Sequence, residues 1–134
     1  MSARTASSKA IAKPSRSVLV VDDDPLQRIQ LSDSLAELGI DVLQEEEGGA
    51  ALDTIRATRP AVIIMDVRMP VLDGIAAAQA IADLDYKPRV ILMTGDPQSV
   101  FRANTTDLDV FAVLEKPVPL RTLSKFILKA LATA

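Results

Sequence analysis

Short apolar runs alternate along this chain with longer stretches whose apolar residues recur at helical spacing, and the alternation repeats five times. The pattern predicts strands over about 17–22, 40–44, 61–65, 89–93 and 110–114. It predicts a first helix opened by Asp24 as cap with Pro25 at its first position, ending near Leu38 with Gly39 as the stop. Further helices follow over 48–58 (closed by Pro60), over the Ala-rich 73–84, from about Asp96-Pro97, and over 119–132. The fourth is the least regular, because NTTDLD at 104–109 is rich in residues that compete with helical hydrogen bonds. AVIIM at 61–65 is apolar on both faces, as a central parallel strand requires, whereas IDVLQ at 40–44 is polar enough for a place near an edge. Leu31, Leu35 and Leu38 share one stripe of the first helix, with Leu26 and Ile29 roughly opposite. Leu120, Leu123, Ile127 and Ala130 share one face of the last. Five β-α units at this length predict an α/β fold, a doubly wound parallel sheet with right-handed crossovers.

At 134 residues there is room for one domain with a real core. Apolar residues make up 49% and charged ones 25%, a soluble, globular balance. The chain has no cysteine and no histidine. Disulfides, thiolate metal sites and imidazole catalysis are therefore excluded, and a histidine-borne phosphate would have to come from another protein. Four of the 15 basic residues (Arg4, Lys9, Lys13, Arg16) fall in the first sixteen positions, which hold no acid. The remaining 11 face all 18 acidic residues, a net −7. Residues 1–16 read as a flexible basic tail and 17–134 as the folded domain. Its acidity speaks against nucleic acid as a partner, and no stretch approaches a membrane span.

Chemistry enters at the strand ends. Asp22 and Asp23 end the first strand, Asp66 the third, and Thr94 and Lys116 two more. In a doubly wound sheet these ends meet at one edge and share a pocket. VLVVDDDP, IIMDVRMPVLDG, ILMTG and LEKP, in that order, resemble the four signatures of the bacterial response-regulator receiver domain over about 17–133. The D-x-x-M-P-x-x-D-G stretch is the specific one.

The resemblance implies a (βα)5 flavodoxin-like fold with strand order 2-1-3-4-5. It implies that Asp66 is the nucleophile that becomes an aspartyl phosphate, with Mg²⁺ as cofactor. Asp23 and Asp66 would bind the metal directly, Asp22 through water, and Arg68 through its backbone carbonyl. Lys116 and Thr94 would contact phosphoryl oxygens, and Gly95 would leave room beside them. Asp24 falls outside this pocket and reads only as a helix cap. The implied donor is a histidine kinase or histidine phosphotransfer protein in the cytoplasm, and the role is signalling rather than enzymatic. Leu26 and Ile29 would then offer a docking surface for the donor, or be ordinary exposed residues.

The chain also departs from the pattern. Where most receivers carry Tyr or Phe three residues before the lysine, this one has Val113. Phe111, two residues earlier, is the candidate replacement on the same strand face or plain core packing. The 95–106 segment is the alternative moving element. Arg68 and Asp96, two residues beyond Asp66 and Thr94, stand where an opposed pair would hinder water and slow hydrolysis, or are both solvated and inert. Arg121, Lys125 and Lys129 form a helical stripe, either solvated or a contact for an acidic partner or a homodimer. LDVFAVLEKP is more similar to receivers attached to cyclic-dinucleotide phosphodiesterase domains, so a fragment of a larger effector stays open. A haloacid-dehalogenase-like phosphatase would need an acidic pair after the lysine, and none follows Glu115. A receiver fold that works as an interaction module without phosphorylation is the remaining rival.

Overall fold

The computed structural model describes residues 15–134. The basic tail expected over 1–16 lies outside the described residues, except Ser15 and Arg16, which open the first strand. Ten elements alternate strictly: β1 (Ser15–Val21), α1 (Pro25–Glu37), β2 (Val42–Glu45), α2 (Gly48–Thr58), β3 (Pro60–Asp66), α3 (Gly74–Ala82), β4 (Arg89–Thr94), α4 (Pro97–Thr105), β5 (Ala112–Glu115) and α5 (Leu120–Thr133). The five strands form one parallel sheet in the order β2-β1-β3-β4-β5. The polar strand is at an edge and the wholly apolar one at the centre, as their compositions demand.

The two-residue strand period divides the core between two faces. Leu19, Val21, Ile63, Met65, Val90 and Leu92 point to one side, against Ile55 of α2 and Ile75 and Ile81 of α3. Their neighbours Val18, Val20, Val62, Ile64, Ile91 and Met93 point to the other, against Leu31 and Leu35 of α1 and Leu123, Ile127 and Leu131 of α5. Helices therefore cover both faces, and all four loops that leave β1, β3, β4 and β5 emerge at one edge. Among the described residues, no helix is long and apolar enough to cross a membrane.

Carboxylates start four of the helices. Asp24 accepts from the Leu26 and Gln27 amides, Glu47 from Gly49 and Ala50, Asp73 from Ala76, and Asp96 from Gln98. Each satisfies amides that the first turn leaves without partners and faces the positive end of the helix dipole. The third residue of the Asp triplet is thus a cap, as its position before Pro25 suggests.

Three apolar residues behave differently from their periodicity. Leu38 is 54% exposed, because α1 stops at Glu37 and the chain turns through Gly39 at φ +82. Ile40 packs on the core instead. Leu120 is exposed at the first position of α5, and Leu131 extends the buried stripe at the other end. Phe111 sits at a bend before β5 and packs on the α1/α5 side, its ring 5.9 Å from the Arg89 guanidinium carbon. Val113 faces the α2/α3 side. The alternation that would have put the two on one face does not hold through the bend, so Phe111 does not replace the missing aromatic.

Candidate functional site

The site is built where β1, β3, β4 and β5 end. Asp22 follows β1 and is buried, while Asp23 beside it is exposed. Asp66 is the last residue of β3, Thr94 the last of β4, and Lys116 follows β5. Each comes at the end of a strand whose other residues are held by the sheet, so these positions are fixed by the core. Carboxylate oxygens of Asp22, Asp23 and Asp66 lie within 4.8 Å of one another. Such a set of hard oxygen donors suits a divalent cation such as Mg²⁺ or Ca²⁺.

The Lys116 ammonium stands against this cluster. It donates to Asp66 Oδ2 at 2.8 Å and to Gln27 Oε1 at 3.0 Å, and lies 3.9 Å from Asp22 Oδ2. The Lys116–Pro117 peptide bond is cis. Asp66 Oδ1 accepts the Arg68 backbone N–H at 3.1 Å. Asp22 Oδ1 accepts the Asp24 N–H at 2.9 Å, and its carbonyl accepts from Arg28 Nη1 at 2.8 Å. Burial pushes the Asp22 carboxyl above its ordinary pKa; Asp66 and Asp23 add to this, against the Asp24 amide and Lys116.

Beside Asp66 a cleft of about 430 Å³ is lined by Arg68, Thr94, Gly95, Asp96 and Pro97. Thr94 is 1% exposed and its Oγ1 accepts the Asp96 N–H at 3.2 Å. Arg68 Nη1 and Asp96 Oδ2, on opposite walls, are 3.6 Å apart. The Ser99 hydroxyl, and to a smaller degree Arg68, hold the Asp96 carboxyl below its usual range. A Cβ added at Gly95 would meet nothing nearer than Lys116 Cβ at 3.7 Å, so space at that position does not demand glycine. Gly74 is the position that does: a Cβ there would lie 2.5 Å from the Asp66 carbonyl oxygen and 2.9 Å from Val67 Cα.

All six residues singled out from the sequence converge here, though Arg68 meets Asp66 through its amide. Leu26 (65%) and Ile29 (46%) are exposed on the α1 side. Sequence reading missed Gln27, Arg28 and the pair formed by Arg102 Nη2 and Asp73 Oδ2 at 2.8 Å, which ties α4 to the cap of α3. These contacts join distant segments, and only the D-G of the long motif pointed toward Asp73.

Comparison with known proteins agrees with this geometry. Residues 18–128 match the family model described as the response regulator receiver domain. The autoinducer 1 sensor kinase/phosphatase LuxN of Vibrio campbellii is 32% identical over 118 residues, 84% of this chain and 13% of that protein. The positive alginate biosynthesis regulatory protein of Pseudomonas aeruginosa is 33% identical over 116 residues, 84% of this chain and 46% of that protein. The chain thus spans less than half the length of these two relatives. Among solved structures, the signal receiver domain of a signal transduction histidine kinase from Syntrophus aciditrophicus superposes with a TM-score of 0.81 at 28% identity, covering 90% of this chain and 92% of that one. The receiver domain of the response regulator NarL from Mycobacterium tuberculosis gives 0.77 at 28%, covering 91% and 100%. With the acidic strand ends and the 2-1-3-4-5 sheet, these matches establish that the chain belongs to the response regulator receiver domain family of two-component systems.

Proposed function

We propose that Asp66 accepts a phosphoryl group from a phosphohistidine of a histidine kinase or histidine phosphotransfer protein, and that the aspartyl phosphate shifts a protein-interaction surface. One observation carries the reading: three carboxylates and one lysine ammonium from three strand ends meet at Asp66, beside a cleft with a buried hydroxyl. In the transfer, an Asp66 oxygen attacks phosphorus, a P–O bond forms, and the P–N bond to the donor imidazole breaks. Asp22, Asp23, Asp66 and the Arg68 carbonyl would hold Mg²⁺, which neutralises carboxylate charge that would otherwise repel the phosphoryl group. One Lys116 N–H shifts its hydrogen bond from Asp66 to a phosphoryl oxygen, and Thr94 donates its hydroxyl to another. The Arg68–Asp96 pair stands across the cleft and excludes attacking water, so the phosphate is long-lived.

With Val113 in place of an aromatic, the signal leaves through α4. The Asp96 N–H now rests on Thr94 Oγ1, and Asp96 caps α4. A Thr94 hydroxyl drawn to phosphate disturbs that contact and shifts α4 between two populations. Helix α4 completely buries only Ser99 and Ala103 among its described side chains, so it is lightly anchored. The exposed stripe of Arg121, Lys125 and Lys129 on α5 is a separate contact for an acidic partner or a second copy. The domain works in the cytoplasm, with residues 17–134 as the receiver, alone or within a larger effector. Val113 favours one second reading, a constitutive interaction module. Transfer of labelled phosphate from a phosphohistidine donor to the wild type, and none to Asp66→Asn, distinguishes the two.

A further inference from the structure

Three oxygens surround the Lys116 ammonium, and they differ in kind. Asp66 Oδ2 at 2.8 Å and Asp22 Oδ2 at 3.9 Å are carboxylates of the acidic cluster. Gln27 Oε1 at 3.0 Å is a neutral amide from another element. Gln27 lies in the first turn of α1, its own N–H bonded to the Asp24 cap at 3.4 Å, so the corner that carries Asp22 and Asp23 also places it. Beyond the ammonium a groove of about 650 Å³ opens between α1 and α5, walled by Leu31, Met93, Pro117 and Leu123. Gln27 stands where this groove meets the acidic cluster.

We infer that Gln27 is a positioning residue for Lys116: its amide oxygen anchors one N–H of the ammonium while another passes from Asp66 to the incoming phosphoryl oxygen. The inference rests on the phosphoacceptor reading above. A lysine side chain is a point charge on a flexible stem, and losing its Asp66 bond would leave it free to swing toward Asp22. An acceptor outside the acidic cluster keeps it in place during the exchange. A neutral acceptor does so without competing with phosphate for the positive charge or adding to the carboxylate repulsion. Gln27 is therefore suited to act when the ammonium changes partner, which is in the transition state rather than in the resting protein.

The test uses Gln27→Met, which keeps an unbranched chain of similar length but has no amide acceptor. With acetyl phosphate and saturating Mg²⁺, its maximal phosphorylation rate should fall about two- to tenfold, the worth of one net hydrogen bond, with the KM for the donor unchanged. The Lys116 side-chain NH₃⁺ signal in nitrogen-15 NMR should shift and exchange faster with water, while Ser34→Ala, farther along α1, leaves it in place. The melting temperature should stay within about 1 °C, because Gln27 is exposed. A wild-type maximal rate in Gln27→Met, a loss confined to KM, or an unmoved Lys116 signal would each overturn the inference. If the wild type itself took no phosphate from any donor, the phosphoacceptor reading would fail, while the NMR arm would still report whether Gln27 holds the ammonium.

Discussion

Asp22→Asn should stabilise the metal-free protein, although it alters a buried residue at the heart of the site. The substitution removes one of three clustered charges and keeps the Oδ1 that accepts the Asp24 N–H. At an effective dielectric of about 20, charges at the 4.8 Å limit of the cluster repel by ~3.5 kcal/mol per pair, and the attraction across 3.9 Å to Lys116 is worth ~4 kcal/mol. Two repulsions relieved against one attraction lost leave ~3 kcal/mol, which solvent around the exposed Asp23 reduces to about 1–2 kcal/mol. For a domain of this size that corresponds to a rise of roughly 4–8 °C in melting temperature. The sign follows from the raised pKa of Asp22, caused first by burial. Its ionised form costs stability at neutral pH, and the cost fades as pH falls through the folded-state pKa toward the unfolded value. The advantage of Asn should therefore be full near neutrality and shrink in acid. Mg²⁺ should act oppositely: at ten times its Kd it should stabilise the wild type by about 1.4 kcal/mol and Asp22→Asn by much less. Thermal melts in EDTA and in Mg²⁺ across pH settle the matter. An Asp22→Asn protein that melts at or below the wild type in EDTA at neutral pH would refute the electrostatic account, as would equal Mg²⁺ shifts in both.

Gly74→Ala should destabilise by about 1–3 kcal/mol in urea unfolding, since the added methyl meets the Asp66 carbonyl and Val67 backbone rather than yielding side chains. Wild-type stability would show that the Asp66 loop moves aside. Val71 holds φ 70 with its side chain 99% exposed, so Val71→Gly should relieve strain at no packing cost and gain about 0.5–1 kcal/mol; a loss in the same assay would contradict this. Arg68→Ala should shorten the aspartyl phosphate lifetime several-fold by opening the cleft wall across from Asp96, and an unaltered decay rate would remove the basis for slow hydrolysis.

Much of this architecture could be read from the chain because the core uses a simple rule. Each central strand is a continuous apolar run ended by a polar residue, and that residue is a candidate for the site: Asp22 after VLVV, Asp66 after AVIIM, Thr94 after VILM. The misses come where the period stops. Leu38 belongs to the helical stripe in sequence but lies beyond the last turn, and Phe111 sits at a bend that breaks strand alternation. Gln27 was hidden for another reason. Its partner lies 89 residues away, and an exposed glutamine in a first helical turn looks the same with or without a lysine opposite. The Arg102–Asp73 tie likewise depends on where α4 settles, which no local pattern specifies.

The central claim is that Asp66 takes a phosphoryl group, and intact mass spectrometry tests it most directly. The purified chain is incubated with a small phosphodonor, with and without Mg²⁺, beside Asp66→Asn. The account predicts a gain of one phosphoryl group (about 80 Da) that requires Mg²⁺ and is absent in the variant. No gain with any donor, cognate kinases included, or an undiminished gain in Asp66→Asn, would contradict it.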